Sequence, residues 1–178
     1  MDAILSPTPY HILSYGTLLG ANLYNTFVAS ILSFRTLPRP HFSALQSASF
    51  PIYFTIQTAL PLAMALTYPS PSTSSSGPRA LLAHGTLATK TLLAIMFLGG
   101  LVNKAVLGPM TNAAMRRRKA QETREGKRAG EGRDAPVSGE MRALNRRFGV
   151  LHGVSSLVNL ASVLASVGYA FELSQRIA

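Results

Sequence analysis

Residues 11–34 read HILSYGTLLGANLYNTFVASILSF, a stretch without a single Asp, Glu, Lys or Arg. The charge-free interval around it is longer still, running from Asp2 to Arg35. A bilayer's hydrocarbon core is about 30 Å thick and takes roughly 20 helical residues to cross, so this interval is long enough to span it. Two more such intervals follow, from Arg39 to Arg79 and from Arg147 to Glu172. A fourth stretch, Ala80 to Leu107, is mostly apolar but carries Lys90 and Lys104. Composition agrees with this pattern: 47 % of the 178 residues are hydrophobic and only 13 % are charged, too apolar a balance for a typical soluble domain. The surplus apolar surface calls for lipid as its solvent. The chain therefore reads as all-α, a polytopic membrane protein with four transmembrane helices in a bundle. One membrane domain covers residues 1–178, with spans at about 9–34, 50–68, 80–107 and 148–173.

Proline and glycine punctuate these spans. Arg35-Thr-Leu-Pro-Arg-Pro ends the first helix by charge and by proline. Pro51 suits the first turn of the second helix, and Pro61 inside it should bend it. PSPSTSSSGP, residues 69–78, is a low-complexity polar turn. Gly108-Pro109 should stop the third helix. Residues 110–147 then form a basic, partly disordered loop that starts as a basic helix and turns Gly-rich, mobile between Gly126 and Ser138. The N-terminal Met-Asp-Ala-Ile-Leu has no basic segment typical of a removable signal peptide, so the first helix is expected to stay.

Eleven of the seventeen basic residues lie between Arg116 and Arg147. With Arg35 and Arg39 they put thirteen positive charges on one side of the four-span arrangement, against Arg79 and Arg176 on the other. Cytoplasmic segments hold the Lys and Arg excess. Both termini are therefore expected on the non-cytosolic side, with the basic loop in the cytosol and the endoplasmic reticulum as the expected membrane. The loop suits an anionic leaflet or a protein partner, with Arg116, Arg117, Arg118 and Lys119 as the docking residues. Nucleic acid is not expected, because no aromatic residue interrupts the basic run to stack on bases. The absence of cysteine excludes disulfides, a thiol nucleophile and thiolate metal ligands.

Within the spans, Gly16 and Gly20 form a GxxxG spacing that lets a second backbone approach. Internal helix packing is the ordinary reading and a dimer contact the alternative. His152, Ser155, Asn159, Ser162, Ser166 and Tyr169 recur at steps of three and four and so share a face of the fourth helix. Tyr15, Asn22 and Asn25 on the first helix and Gln57 on the second match them. Such a seam ordinarily holds helices together through hydrogen bonds, and it could also line a small polar cavity. Tyr169 and Phe171 also sit where an interfacial aromatic belt belongs. Lys90 falls some ten residues into the third span; it either serves a site at that depth or snorkels to the interface. His11 and His84 approach the membrane from the same side. A shared haem or metal site is one reading, and hydrogen bonding to a carbonyl or a neighbouring helix is the other.

Three stretches resemble the transmembrane protein 205-like family, whose shared region is domain of unknown function 4149: LPRPHFSALQSASFPIYF at 37–54, LVNKAVLGPMTNAAMRRRKAQE at 101–122 and LNRRFGVLHGVSSLVNL at 144–160. The resemblance implies a small four-helix membrane protein; it brings no established reaction or transported substrate to carry over. A shorter likeness, in His11 followed by GTLLGANLYN and in ATKTLLAIMFLGG at 88–100, is to four-helix copper-resistance and haem-associated membrane proteins. It implies that His11 and Lys90 would serve the site. Three function classes thus stand side by side: a non-enzymatic membrane scaffold, a haem- or metal-binding redox protein using His11, Lys90 and His84, and a small oligomeric transporter.

Overall fold

The computed structural model describes residues 6–69, 76–126 and 138–177, and every regular element among them is helical. Ser6 opens the first helix, its hydroxyl accepting from the Thr8 amide at 3.4 Å, with Pro7 in the first turn where a missing N–H costs nothing. Helix α1 (Pro7–Leu23) widens into a π-turn, π1 (Tyr24–Ala29), and closes as α2 (Ser30–Thr36). Leu37 is extended, as a residue before proline must be, and breaks the rod there. Helix α3 (Arg39–Leu66) returns, then a short α4 (Pro78–His84), then α5 (Leu87–Val102), π2 (Asn103–Leu107) and α6 (Gly108–Arg124) in one run. Helix α7 (Gly139–Ile177) completes the chain. Packing closes a ring, α1 on α3, α3 on α5, α5 on α7 and α7 on α1, with α6 continuing along α7. Its apolar centre is Tyr15, Leu18, Met64, Leu93, Met96, Ala165, Tyr169 and Leu173.

Three helical runs, Arg39–Leu66, Leu87–Arg124 and Gly139–Gln175, are long and apolar enough to cross a membrane. Their outward residues are apolar, with Leu157 at 68 % and Leu164 at 62 % exposure. This is a membrane protein whose solvent over much of its surface is lipid.

Several boundaries differ from the sequence expectation. The second helix begins at Arg39 rather than near residue 50, with Pro40 in its first turn. Pro51 consequently lies in the helix interior, and residues 39–49, left between the expected first and second spans, are helical. The third span does not begin at residue 80: Gly85 is extended and Thr86 caps a new helix by accepting from the Thr89 amide at 3.0 Å. Nor does Gly108-Pro109 stop it. In π2 the Gly108 amide reaches back five residues to the Asn103 carbonyl, and this wider turn makes room for the Pro109 ring, so the helix runs on to Arg124. The fourth helix starts at Gly139, a turn and more before Phe148. The expected mobility between Gly126 and Ser138 falls on residues 127–137, and most of the polar turn on 70–75; both lie outside the described residues. A side chain at Gly16 or Gly20 would meet nothing within 4 Å, so the GxxxG faces outward and internal packing does not account for it.

Candidate functional site

Polar side chains enter the bundle from all its long helices and meet on the inside. Proline chemistry sets one contact. Pro61 has no N–H for the Gln57 carbonyl four residues back, so that carbonyl is released from the helix ladder. Helix α5 comes in against it with Gly100, where a Cβ would stand 2.7 Å from the Gln57 carbonyl carbon and oxygen. Only a glycine allows that approach.

Gln57, fully buried, projects its side-chain amide into the middle of the bundle. Its Nε2 donates toward Asn22 Oδ1 at 3.2 Å, Tyr53 Oη at 3.2 Å and Asn159 Oδ1 at 3.0 Å. The Tyr53 hydroxyl lies 3.0 Å from Asn22 Oδ1 and 2.8 Å from Asn159 Oδ1. With one proton to give, it serves one of them while Gln57 serves the other. Asn22 passes the network to Ser166 at 3.3 Å, and Asn159 passes it to Thr26 at 3.1 Å. One turn further toward the basic end, Asn103 and Ser155 bond reciprocally: the Ser155 hydroxyl donates to Asn103 Oδ1 at 2.8 Å and Asn103 Nδ2 to the Ser155 carbonyl at 3.3 Å. Thr26 sits in π1 and Asn103 in π2, so both π-turns deliver a polar group to the same face of α7.

Near the chain termini a second cluster forms on His11, also fully buried. Its Nδ1 lies 2.9 Å from the Met64 carbonyl and its Nε2 2.8 Å from the Tyr169 hydroxyl. A carbonyl only accepts, so Nδ1 carries a proton, and in the neutral imidazole Nε2 then accepts from Tyr169. Met64 is in the last turn of α3, whose carbonyls lack helical partners, and His11 caps one of them. Tyr68 packs edge-on to the imidazole at 5.8 Å, and Tyr15 donates to the Ser166 carbonyl at 3.0 Å.

The expected residues therefore separate. Asn22, Gln57, Asn159, Ser166 and Tyr15 converge, and Ser155 bonds Asn103 instead of the centre. Asn25 is half-buried, and Thr26 takes the place facing Asn159. Ser162 is buried but donates back to its own helix at Val158, and works as a small residue against Gly99. His152 is exposed and stacks parallel on Phe148 at 5.7 Å, outside the seam. Lys90 is in the first turn of α5, not ten residues deep, and its ammonium donates to the Leu82 carbonyl at the end of α4, 2.8 Å away. His84 is exposed at the end of α4. Among the described residues no three His, Asp or Glu side chains gather as metal ligands. Both nitrogens of His11 are engaged, so ligation would first have to break a buried hydrogen bond. Sequence reading did not single out Thr26, Tyr53, Asn103 or Glu172. Glu172 accepts from the Thr86 and Thr89 hydroxyls at 2.6 and 2.8 Å and pins α7 to the start of α5.

At the basic end α6 and α7 run side by side. Arg116, Arg117 and Lys119 are exposed. Arg118 is different: its guanidinium lies over the Phe148 ring at 5.3 Å and pairs with Glu122 at 3.4 Å, so it joins the two helices rather than facing outward. Glu125 accepts from Gln121 at 3.0 Å and from Ser138, which ties the end of α6 to the start of α7.

A relative in Aspergillus fumigatus (strain ATCC MYA-4609 / CBS 101355 / FGSC A1100 / Af293), named xanthocillin biosynthesis cluster protein D, is 29 % identical over 174 residues, covering 98 % of this chain and 93 % of the relative. No solved structure matches the chain. The family model described as domain of unknown function, DUF4149, matches residues 13–120, and the chain belongs to that family.

Proposed function

We propose that this is a four-span, transmembrane protein 205-like scaffold without enzymatic activity, with both termini non-cytosolic and a basic helical head that docks on anionic surfaces from the cytosolic side. The first rod, residues 7–36, supports the fourth span. Its polar residues His11 and Asn22 are fully buried, while Leu13, Tyr24, Phe27 and Phe34 are more than half exposed. Its average polarity is thus carried on the inside, and lipid meets an apolar face.

The observation that carries the docking role is the length of the last two helices. Leu87–Arg124 has 38 residues and Gly139–Gln175 has 37, against roughly 20 needed to cross. With the apolar part of the first run ending near Leu107, α6 stands on the order of 25 Å outside the hydrocarbon, and the first turns of α7, Gly139 to Arg147, run about 12 Å beside it. That projecting pair bears Arg116, Arg117, Lys119, Arg124, Arg142, Arg146 and Arg147, all exposed. A paired helical stalk presents charge as a fixed surface, at lower ordering cost than a free loop would incur. The buried hydrogen bonds are read as the glue that fixes the bundle beneath it. The relative's name assigns that protein to a biosynthesis cluster; for this chain the anchoring role rests on the basic stalk. The endoplasmic reticulum is the proposed membrane.

The test uses the full chain in nanodiscs of pure phosphatidylcholine, offered vesicles that contain about a quarter phosphatidylserine. Capture of the vesicles that weakens as salt rises, and is lost in the Arg116→Glu, Arg117→Glu, Lys119→Glu variant, supports the reading. Capture equal for neutral vesicles, or none at all, refutes it.

A further inference from the structure

Helix α7 carries a second charged feature nearer the membrane than the stalk tip. Arg146 and Arg147 lie together with Ala143, Val150 and Leu151 on one open surface of the helix. Both arginines are exposed, and the ion pair of Arg118 with Glu122 leaves them out. The nearest acid along the helix, Glu140, precedes them by more than a turn. Among the described residues neither guanidinium forms an ion pair, and the two arginines are consecutive where α7 enters its apolar stretch.

Below them the same face becomes apolar. Positions 143, 147, 150, 154 and 157 advance in steps of four and three and form one stripe. Val150 is 58 %, Val154 44 % and Leu157 68 % exposed, so no other helix covers it. From Arg147 to Leu157 the helix rises about 15 Å, half of a hydrocarbon core about 30 Å thick, which is one leaflet.

We propose that this stripe is a binding site for one anionic phospholipid, its phosphate on Arg146 and Arg147 and an acyl chain along Val150, Val154 and Leu157. Guanidinium forks match phosphate oxygens bidentately; phosphatidylcholine carries the same phosphate, so the preference for an anionic lipid comes from net headgroup charge, which the choline ammonium cancels. The adjoining track lies at a depth that an acyl chain reaches and an acidic peptide does not. The site deepens the proposed role of the basic end and rests on it for the placement of α7 across the leaflet.

The test is native mass spectrometry of the full chain in mild detergent, with equimolar phosphatidylserine and phosphatidylcholine of identical acyl chains. A retained phosphatidylserine is expected, preferred by about fivefold per arginine, or about 1 kcal/mol each. Arg146→Gln with Arg147→Gln should bring the preference close to unity, and Arg116→Gln with Arg117→Gln should leave it unchanged. Leu157→Ser with Val154→Ser should lower retention of both lipids. Millimolar inorganic phosphate should not displace the lipid, because it supplies only the headgroup chemistry; displacement would reduce the site to an anion site and overturn the acyl track. Equal retention of the two lipids, or equal loss on either arginine substitution, overturns the proposal. Retention in detergent does not depend on vesicle capture, so the lipid site and the docking reading fail separately.

Discussion

His11 shows what one buried side chain does in this fold. It satisfies an end carbonyl of α3 and the hydroxyl of Tyr169 with its two nitrogens. His11→Ala takes the imidazole away from both groups in a water-poor interior and should cost about 2 kcal/mol of stability, the low side because chains unfolded in a membrane also find partners. His11→Asn keeps a donor near the Nδ1 position and should fall between. Thermal unfolding in detergent should rank the three proteins wild type, Asn, Ala; equal midpoints would mean these bonds contribute nothing. At the centre, a double-mutant cycle of Asn22→Ala and Gln57→Ala should give a coupling of about 0.6 to 1.7 kcal/mol, and additivity would show that the 3.2 Å contact is not an energetic one. Asn22, Gln57 and Asn159 were legible because polar residues at steps of three and four in an apolar helix have only the inside to face. Asn25 and Thr26 exchanged places because π1 adds a residue to the turn and so rotates the side chains beyond it, and periodicity alone does not announce a π-turn.

At the scale of elements, the glycines divide by what lies beyond them. Gly100 sits against the proline-freed carbonyl of Gln57, with the Thr58 nitrogen 2.9 Å from where a Cβ would be. Gly100→Ala therefore has to part α5 from α3 and should destabilise by about 1 to 3 kcal/mol. Gly20 has open space, so Gly20→Ala should be neutral or raise stability by up to about 1 kcal/mol through helix propensity. Matched unfolding curves of the two variants check the pair, and a harmless Gly100→Ala would refute the close approach. The helices themselves were legible from charge-free intervals and their ends were not. Proline misled twice. Pro51 looked like a first turn and Pro109 like a stop, but α3 carries Pro51 in its interior, and π2 reshapes the turn before Pro109. Lys90 looked deeply buried because the extended backbone at Gly85 has no strong sequence mark besides the glycine itself.

At the scale of the molecule, the number of spans decides which surfaces share a compartment. Three runs meet the length and apolarity of a span outright. The rod of residues 7–36 is not among them; hydropathy counts Asn22 and His11 as if lipid touched them, whereas both are fully buried, and the proposed fourth span rests on that. Three crossings put the termini on opposite sides and four put them together. The chain contains no cysteine, so single reporters at Asp2→Cys, Ala120→Cys and Ser174→Cys need no background removal. In sealed microsomes, an impermeant maleimide should label position 120 from outside, and positions 2 and 174 only after the membrane is opened. Labelling of positions 2 and 120 from the same side, with 174 protected, would make the first rod an interfacial helix and leave three spans. Its exposed Leu13, Tyr24 and Phe27 would then lie against headgroups, and the buried Asn22, Gln57 and Asn159 contacts, which require α1 upright beside α3 and α7, could not form as they do here.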